Sequence, residues 1–318
     1  MNPKQLRIVF LGTPGFAACS LEKLLSEKYN VVAVVTGPDK PSGRGLQLQQ
    51  SEVKQMALKY GVPVLQPEKL KSPEFISELE KLQPDLGIVV AFRMLPEIVW
   101  NMPKMGTFNL HGSLLPQYRG AAPINRAIMN GETKTGVTTF LLKQEIDTGN
   151  IILRSEIPIG ATETAGELHD RMMHVGADLV AKTVDVLAEG NVHPKNQNDF
   201  IAQGEILKDA PKLFRDNTKI DWNAPGQDIV NHIRGLNPFP TAWTELIHGE
   251  ERIPIKVYVA EFIPGKTSVV SGTASNDLQV NVNNGIVAIK EIQAPGKKKM
   301  HVSDFLRGFR INSPLHFS

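Results

Sequence analysis

Short apolar segments alternate with amphipathic helical patterns through the first half of this chain. Strands are predicted at residues 7–11, 31–36, 86–91 and 107–110, and helices at residues 17–26, 51–60 and 72–82. Repeated strand–helix–strand units fold into a mostly parallel sheet, because each crossover helix packs back onto the sheet that it leaves. The sequence therefore predicts an α/β fold built on a doubly wound, mostly parallel sheet.

The pattern changes after a long predicted helix that ends near residue 189. Residues 190–204 are rich in Asn and Gly and are typical of a linker. Short β-rich segments separated by Gly and Asn turns follow at residues 241–247, 255–262, 278–282 and 286–292. Strands at this spacing predict a smaller, OB-like β-barrel. We expect a first domain at 1–189, a linker at 190–204 and a C-terminal β-barrel domain at 205–318.

The composition narrows the class of protein. Hydrophobic residues make up 41% of the chain and charged residues 21%, which is ordinary for a globular protein. No apolar run reaches the 18 residues of a membrane span, and the first residues lack a signal-peptide pattern. Cys19 is the one cysteine, so an intrachain disulfide is impossible. We therefore expect a cytoplasmic protein with no membrane partner.

The segment Asn109-Leu110-His111 gives the clearest indication of chemistry. Side chains alternate along a strand, so Asn109 and His111 project to the same side. The first is a neutral hydrogen-bond donor, and the second can carry a proton near neutral pH. Gly112 follows at once, which puts the pair at the carboxyl end of a strand, where open α/β sheets bind ligands. The alternative is a strand cap before an ordinary turn.

A second polar group is Asp147, which falls in an Asp-Thr-Gly turn after a strand predicted at residues 136–142. A carboxylate beside His111 would favour the imidazolium and orient its ring. The alternative is an Asp that bonds only the backbone of its own turn, which is common.

Basic side chains mark two segments for contact with phosphates. The loop from Gly37 to Gln50 is longer than most strand-to-helix loops, and it carries Lys40 and, between two glycines, Arg44. An arginine can grip a phosphate through two parallel hydrogen bonds. Three lysines at 297–299 follow a Pro-Gly pair. Since the net charge is only +2, a nucleic-acid partner must be met by such local clusters. Both segments can also be ordinary solvated loops.

Two other kinds of site find no support in the sequence. The turn from Gly12 to Gly15 lacks the spacing of a dinucleotide fingerprint, and no acidic residue follows the second strand at the required place. We expect a tight turn there, which argues against a nucleotide-binding dehydrogenase. No set of metal ligands is visible, and no metal is expected.

Several motifs together resemble those of one enzyme family. They are Asn109-x-His111-Gly-Ser-Leu-Leu-Pro, Tyr118-Arg-Gly-Ala-Ala-Pro-Ile, Asp147-Thr-Gly, Asn237-Pro-Phe-Pro and Ala294-Pro-Gly-Lys-Lys. In this order they are similar to the formyltransferases that use 10-formyltetrahydrofolate, across essentially the whole chain. The loop with Arg44 and the second domain resemble the branch that formylates methionine on initiator tRNA.

The resemblance implies a reaction in translation initiation. A formyl group would pass from 10-formyltetrahydrofolate to the α-amino group of methionyl initiator tRNA. Asn109 and a protonated His111 would stabilise the oxyanion of the tetrahedral intermediate, and Asp147 would relay protons. The first domain would be Rossmann-like, no metal would be required, and we expect a monomer.

The resemblance also implies which residues bind the two substrates. The wall of the folate pocket would be formed by the loop residues Ser113, Leu114, Leu115 and Pro116. The pterin would bind backbone groups of Val89, Val90 and Ala91. The tRNA would be contacted by Lys40, Arg44, Lys297, Lys298 and Lys299.

The sequence departs from the family pattern in two places. The segment at residues 92–96 is shorter than usual, which changes the local shape of the folate pocket and leaves Arg93 exposed at its edge. The positions after Gly45 are often basic in the family, but here they are Leu46, Gln47 and Leu48.

Two other functions stay open at this point. A related enzyme could formylate a small amine, such as glycinamide ribonucleotide or an amino sugar, although a small substrate does not need a second domain. The chain could instead be an RNA-binding protein built on an inactive transferase fold, although intact Asn109, His111 and Asp147 argue against this.

Overall fold

The computed structural model describes residues 1–42, 47–190 and 192–318, which form two compact units. The first contains Met1–Gly120, Gly136–Ile157 and His169–Asp209, and the second contains Ala121–Thr135, Pro158–Leu168 and Ala210–Ser318. Two short segments from the middle of the chain are thus grouped with the C-terminal residues. The domain limits at 189 and 205 stay a prediction.

The first part of the chain alternates strands and helices, as the sequence predicts. The strands are β1 (Ile8–Gly12), β2 (Val31–Val35), β3 (Lys40–Ser42), β4 (Gln47–Gln49), β5 (Val64–Leu65), β6 (Leu86–Val90), β7 (Thr107–His111), β8 (Arg119–Gly120), β9 (Lys134–Leu141) and β10 (Ile151–Pro158). The helices are α1 (Gly15–Ser26), α2 (Glu52–Lys59), α3 (Pro73–Lys81), α4 (Glu97–Trp100), α5 (Pro123–Met129) and α6 (Ala165–Glu189). Short 3-10 helices cover Pro3–Gln5 and Gln197–Phe200.

A sheet with the strand order β10-β9-β7-β6-β1-β2-β5 forms the centre of this part. β1 pairs in parallel with β2 and β6, β6 with β7, and β2 with β5. β9 joins β7 in the antiparallel direction. The prediction of a doubly wound, mostly parallel sheet is therefore confirmed, and the carboxyl ends of β1, β6 and β7 meet at one edge.

The sheet forms because its central strands can be buried on both faces. Every residue of β1 and β6 is buried, as expected for parallel strands covered by helices on both sides. Helix α3 contributes a stripe of apolar side chains to one covering layer, namely Phe75, Ile76 and Leu79. Ser72 caps this helix, since its hydroxyl accepts the Phe75 N–H at 3.3 Å, and Pro73 occupies the first turn.

The turn between β1 and α1 is tight. A Cβ atom at Gly12 would lie 2.6 Å from the Cβ of Ala17, so no larger residue fits where the helix starts against the strand. This agrees with the expected plain turn at Gly12 and leaves α1 close to the carboxyl end of β1.

The second unit contains a closed barrel. The elements from residue 209 onward are β11 (Asp209–Ala210), a 3-10 helix at Asp216–Thr218, α7 (Gly226–Leu236), β12 (Ala242–His248), β13 (Glu251–Pro264), β14 (Thr273–Ala274), β15 (Gln279–Val282), β16 (Gly285–Gln293), β17 (Met300–His301), α8 (Val302–Gly308) and β18 (Leu315–Phe317). The strand order is β13-β12-β18-β14-β15-β16, and β13 also pairs with β16, which closes the ring. The predicted small barrel is confirmed.

The barrel core consists of inward-facing side chains and one helix face. Along β12 buried and half-buried residues alternate, and α7 buries Ile229, Ile233 and Leu236 in the same cluster. The short barrel strand β18, which lies between β12 and β14, and the helix α8 were not predicted from the sequence. Among the described residues, none of the helices combines the length and apolarity needed to cross a membrane.

Candidate active site

Strand β7 brings Asn109 and His111 to the same side of the sheet. Phe108 and Leu110, which alternate with them, are buried. Asn109 is only half-buried, and its side-chain amide has no hydrogen-bond partner in the part of the chain that the structure describes. Both N–H groups of this amide can therefore be donated to a bound molecule.

His111 is buried, and its ring is held from one side by the backbone. Nε2 lies 2.8 Å from the carbonyl oxygen of Tyr118. A carbonyl can only accept, so Nε2 carries a proton and donates it to Tyr118. The other ring nitrogen, Nδ1, lies 3.8 Å from Oδ2 of Asp147. Nδ1 is therefore the nitrogen that can gain or lose a proton toward the site.

Asp147 is presented by a turn in an unusual backbone conformation. Its φ is +55°, in the left-handed region that Asp tolerates better than most residues. Oδ2 accepts the N–H of Gly120 at 3.0 Å, whereas Oδ1 has no partner among the described residues. Two residues later, a Cβ at Gly149 would overlap the carbonyl oxygen of Leu141, so the turn packs directly against the end of β9. The carboxylate thus keeps one free oxygen next to His111.

Gln197 and Arg119 also belong to this site, although the sequence did not predict a role for either. The buried Gln197 amide donates to the carbonyl oxygens of Asp147 and Gly149, at 2.8 and 2.9 Å. Its Oε1 accepts from Nε and Nη2 of Arg119, at 3.0 and 2.6 Å. Gln197 falls in the predicted linker, where no sequence signal distinguished it from an exposed polar residue.

The loop after His111 is fixed to β9 by Thr138. Its hydroxyl donates to the Ser113 carbonyl at 2.6 Å and accepts the Leu115 N–H at 3.1 Å. Ser113, Leu115 and Pro116 are buried, and Leu114 is half-buried against Gly136. Side chains of this loop mostly point into the protein, so a ligand beside it would meet mainly backbone.

The end of β6 lies next to this loop in the sheet. Val89 and Val90 are buried, and their strand pairs with β1 on one side and β7 on the other. Ala91, which follows directly, is exposed and has a φ of +45°. Ala91 is therefore the first residue of this segment that a ligand can touch.

Lys40 lines a cavity of about 1010 Å³, together with Arg93 and residues that directly follow β1, β2 and β6. Arg93 is exposed, as expected, and donates to the backbone carbonyls of Glu68, at 2.8 Å, and Pro67. It thereby ties the short segment after β6 to the chain after β5. Arg44 lies outside the described residues.

Side-chain bonds to Asp39, the residue before Lys40, fix the start of the long loop. Lys54 bonds the carboxylate of Asp39 at 2.6 Å and Oε1 of Gln66 at 2.7 Å, while Nε2 of Gln66 donates to Asp39 at 2.8 Å. The bond from Lys54, followed by that from Gln66, holds the pKa of Asp39 below its usual range. The carboxylate therefore stays ionised and keeps the loop base in place at neutral pH.

The three lysines at 297–299 lie between β16 and β17 and are exposed. The Lys297 N–H donates to the Ala294 carbonyl at 3.1 Å, which closes a turn. Lys299 is paired with Glu291 at 2.6 Å and lies over the ring of Tyr258. Lys297 and Lys298 have no such ion pair within the described chain. The free positive charge of this turn is thus carried by two of the three lysines.

The described residues contain no group of three or more His, Cys, Asp or Glu side chains arranged to hold a metal ion.

Solved structures with a similar fold include two proteins that match along most of this chain. WlaRD, a sugar 3N-formyl transferase, matches with a TM-score of 0.63 at 18% identity, over 92% of this chain and 99% of its own. HypX from Aquifex aeolicus, in complex with tetrahydrofolic acid, matches with a TM-score of 0.60 at 19% identity, over 95% of this chain. The match covers 47% of HypX, so this chain spans about half of that protein. At these identities the likeness establishes the fold alone.

Sequence comparison is more specific. The family model "Formyl transferase" matches residues 6–184, and "Formyl transferase, C-terminal domain" matches residues 212–310. A protein from Bacteroides fragilis named methionyl-tRNA formyltransferase is 50% identical over 316 residues, which are 98% of this chain and 97% of the relative. The chain therefore belongs to the formyl transferase family.

Proposed function

We propose that this chain transfers the formyl group of 10-formyltetrahydrofolate to the α-amino group of methionyl initiator tRNA, a step of translation initiation. One observation supports the chemistry. The Asn109 amide, which has no hydrogen-bond partner among the described residues, lies on the same side of β7 as His111, whose Nδ1 is 3.8 Å from a carboxylate. The substrate is supported by the name of the Bacteroides fragilis relative, which is half identical along the whole chain. The folate donor is supported by HypX, which was solved with tetrahydrofolic acid.

Asn109 and His111 would act on the oxygen of the formyl group. Attack by the amine converts the planar formyl carbon into a tetrahedral centre, and its oxygen becomes negative. The free Asn109 N–H groups and a proton on Nδ1 of His111 are suitable donors for this oxygen, and one such donor is worth about 10²–10³ in rate. The Tyr118 carbonyl keeps Nε2 protonated and orients the ring for this task.

Asp147 would move the protons that the reaction requires. The new C–N bond forms to the amine nitrogen, which must then lose a proton, and the bond from the formyl carbon to folate N10 breaks, so N10 must gain one. Oδ1 of Asp147 has no partner among the described residues and can accept the first proton, directly or through water. Nδ1 of His111 lies 3.8 Å from Oδ2, so a proton would pass between the two groups through an ordered water or the bound substrate.

The folate would bind along the edge where β6 and β7 end. Val89, Val90 and Ala91 lead to this edge, and Ala91 is exposed there. One wall would be formed, mainly through backbone groups, by the loop of Ser113, Leu114, Leu115 and Pro116, in which only Leu114 is half-buried and the others are buried. Its attachment to β9 through Thr138 supports a rigid wall.

The tRNA would be held by basic side chains of both units. Lys40 lines the cavity beyond β1 and β2, and Arg44 follows it in the same loop. Lys297, Lys298 and Lys299 form an exposed turn on the barrel. Catalysis would then belong to a domain at 1–189 and tRNA binding to a domain at 205–318, with a linker at 190–204 between them. We further propose a cytoplasmic monomer, which light scattering of the purified chain can test.

An amino sugar is the second candidate substrate. WlaRD, a sugar 3N-formyl transferase, matches over 92% of this chain, the barrel region included. A second domain therefore does not by itself exclude a small substrate, contrary to the argument from sequence.

The test is formyl transfer from labelled 10-formyltetrahydrofolate to four acceptors: methionyl initiator tRNA, methionyl elongator tRNA, glycinamide ribonucleotide and a nucleotide-linked amino sugar. We expect efficient transfer to the initiator tRNA alone. Faster transfer to either small amine would replace the proposed substrate, and the absence of transfer to every acceptor would leave the chain as a binding protein on this fold.

A further inference from the structure

The side chain of Gln197 is completely engaged within the first unit. It is buried, with 2% of its surface exposed. Its two N–H groups meet the carbonyl oxygens of Asp147 and Gly149, and its oxygen meets two N–H groups of Arg119. Carbonyls only accept and a guanidinium only donates, so the orientation of the amide is unambiguous. All four of its hydrogen-bonding positions are used.

Arg119 stands between the two backbone groups that hold the candidate catalytic pair. The residue before it, Tyr118, accepts from Nε2 of His111 at 2.8 Å. The residue after it, Gly120, donates to Oδ2 of Asp147 at 3.0 Å. Whatever fixes Arg119 therefore fixes the backbone on which both side chains rest.

The other end of Gln197 holds the turn that carries Asp147. That residue has a φ of +55°, a conformation that persists only when its surroundings maintain it. Gly149 packs against β9, which secures the far end of the turn. The Gln197 amide bonds the carbonyl of Asp147 itself, which secures the near end.

We propose that Gln197 is a positioning residue for formyl transfer, which sets the distance between His111 and Asp147 by joining their two supporting segments through one amide. The proposal rests on the proposed function of these two residues. Gln197 does not touch the reacting atoms, so its loss should change the rate of the chemical step and leave substrate binding intact.

The decisive variant is Gln197→Glu in the full chain. It keeps the shape and the bond to Arg119 but turns both donors toward the two carbonyls into acceptors. We expect kcat to fall by about 10²-fold, because moving a catalytic side chain by about 1 Å from its working position has an effect of this size. The KM values for folate and tRNA should change less than about threefold, and the pH profile of kcat should shift, since the His111–Asp147 separation governs proton transfer.

The matched control is Gln203→Glu, the same substitution at an exposed residue of the same segment. It should leave kcat and the pH profile unchanged. If Gln197 only stabilises the fold, Gln197→Glu should melt at a lower temperature but keep the kcat and the pH profile of the unmodified chain at 25 °C. This result would overturn the proposal.

A double-mutant comparison tests the route of the effect. If Gln197 acts through Asp147, Gln197→Glu should cost little more once Asp147 is already Asn. Full multiplication of the two losses would overturn the proposal.

A second variant serves if Gln197→Glu does not fold. Arg119→Lys keeps the positive charge but loses the two-point bond to Gln197. It must lower kcat and shift the pH profile in the same direction, by a smaller amount. If the unmodified chain formylates a different amine, the proposed substrate is wrong but the role of Gln197 can still be tested. The kcat values of Gln197→Glu and the unmodified chain are then compared with that amine as the acceptor.

Discussion

Oδ2 of Asp147 lies 3.8 Å from Nδ1 of His111 and 3.0 Å from the backbone nitrogen of Gly120. The first distance is too long for a hydrogen bond, and the second is an ordinary one. The carboxylate is therefore held by the backbone and not by the imidazole, which leaves Nδ1 free to face a substrate. A pair arranged in this way can exchange protons with a bound molecule without first breaking a bond between its own members.

His111→Ala and Asp147→Asn should each remove most of the turnover and leave folate affinity nearly unchanged. Both groups act on charge that develops only during the reaction, so kcat should fall far more than KM rises. Steady-state kinetics with methionyl initiator tRNA and a separate folate-binding titration would measure the two effects. The double variant should lose much less than the product of the single losses. Near-normal turnover in either single variant would remove that residue from the mechanism.

The sequence predicted the parts of this site that depend on local periodicity. Asn109 and His111 share a side because strand side chains alternate, and this needs no knowledge of the fold. Gln197 could not be predicted, because its partners Asp147 and Arg119 lie 50 and 78 residues away. The barrel strand β18 could not be predicted for a related reason: three residues are too few for a periodic pattern, and its pairing with β12 is long-range.

Arg44→Ala should weaken the use of charged tRNA and leave folate binding unchanged. The base of its loop is fixed by the bonds among Asp39, Lys54 and Gln66, and Lys40, which precedes Arg44 in the sequence, lines the cavity. The effect should appear as a higher KM for tRNA, and also in kcat if the loop positions the acceptor end. Lys71→Ala, an exposed lysine elsewhere, is the control. Unchanged kinetics with tRNA at moderate salt would reduce the loop to a solvated turn.

Replacing Lys297 and Lys298 with alanine should weaken tRNA binding almost as much as replacing all three lysines. Lys299 is already paired with Glu291, whereas the other two have no ion pair with any residue that the structure describes. Each lost phosphate contact should flatten the slope of log K against log salt by about 0.7–0.9. Filter binding or anisotropy titrations over a range of salt would measure the slope. A Lys299→Ala variant with the largest single loss would contradict this assignment of the free charge.

The stability of the second unit should fall on mild acidification because of His232. Burial, with a smaller contribution from Arg126, lowers the pKa of this histidine, and its Nε2 lies 3.3 Å from the Thr218 carbonyl. In the unfolded chain the pKa returns to about 6.5, so between these two values the unfolded state binds more protons. The stabilisation is therefore complete above about pH 6.5 and is lost as the pH falls through the lower, folded-state pKa. Protonation of His232 alone should lower the free energy of unfolding by at most about 1.4 kcal/mol per pH unit.

Denaturant titrations followed by tryptophan fluorescence can measure this decline, since the buried Trp222 lies in the second unit. In His232→Gln the free energy of unfolding should fall less steeply between pH 7 and pH 5. The exposed His193→Gln is the control and should keep the full pH dependence. Equal slopes in His232→Gln and the unmodified chain would mean that another group titrates in this range.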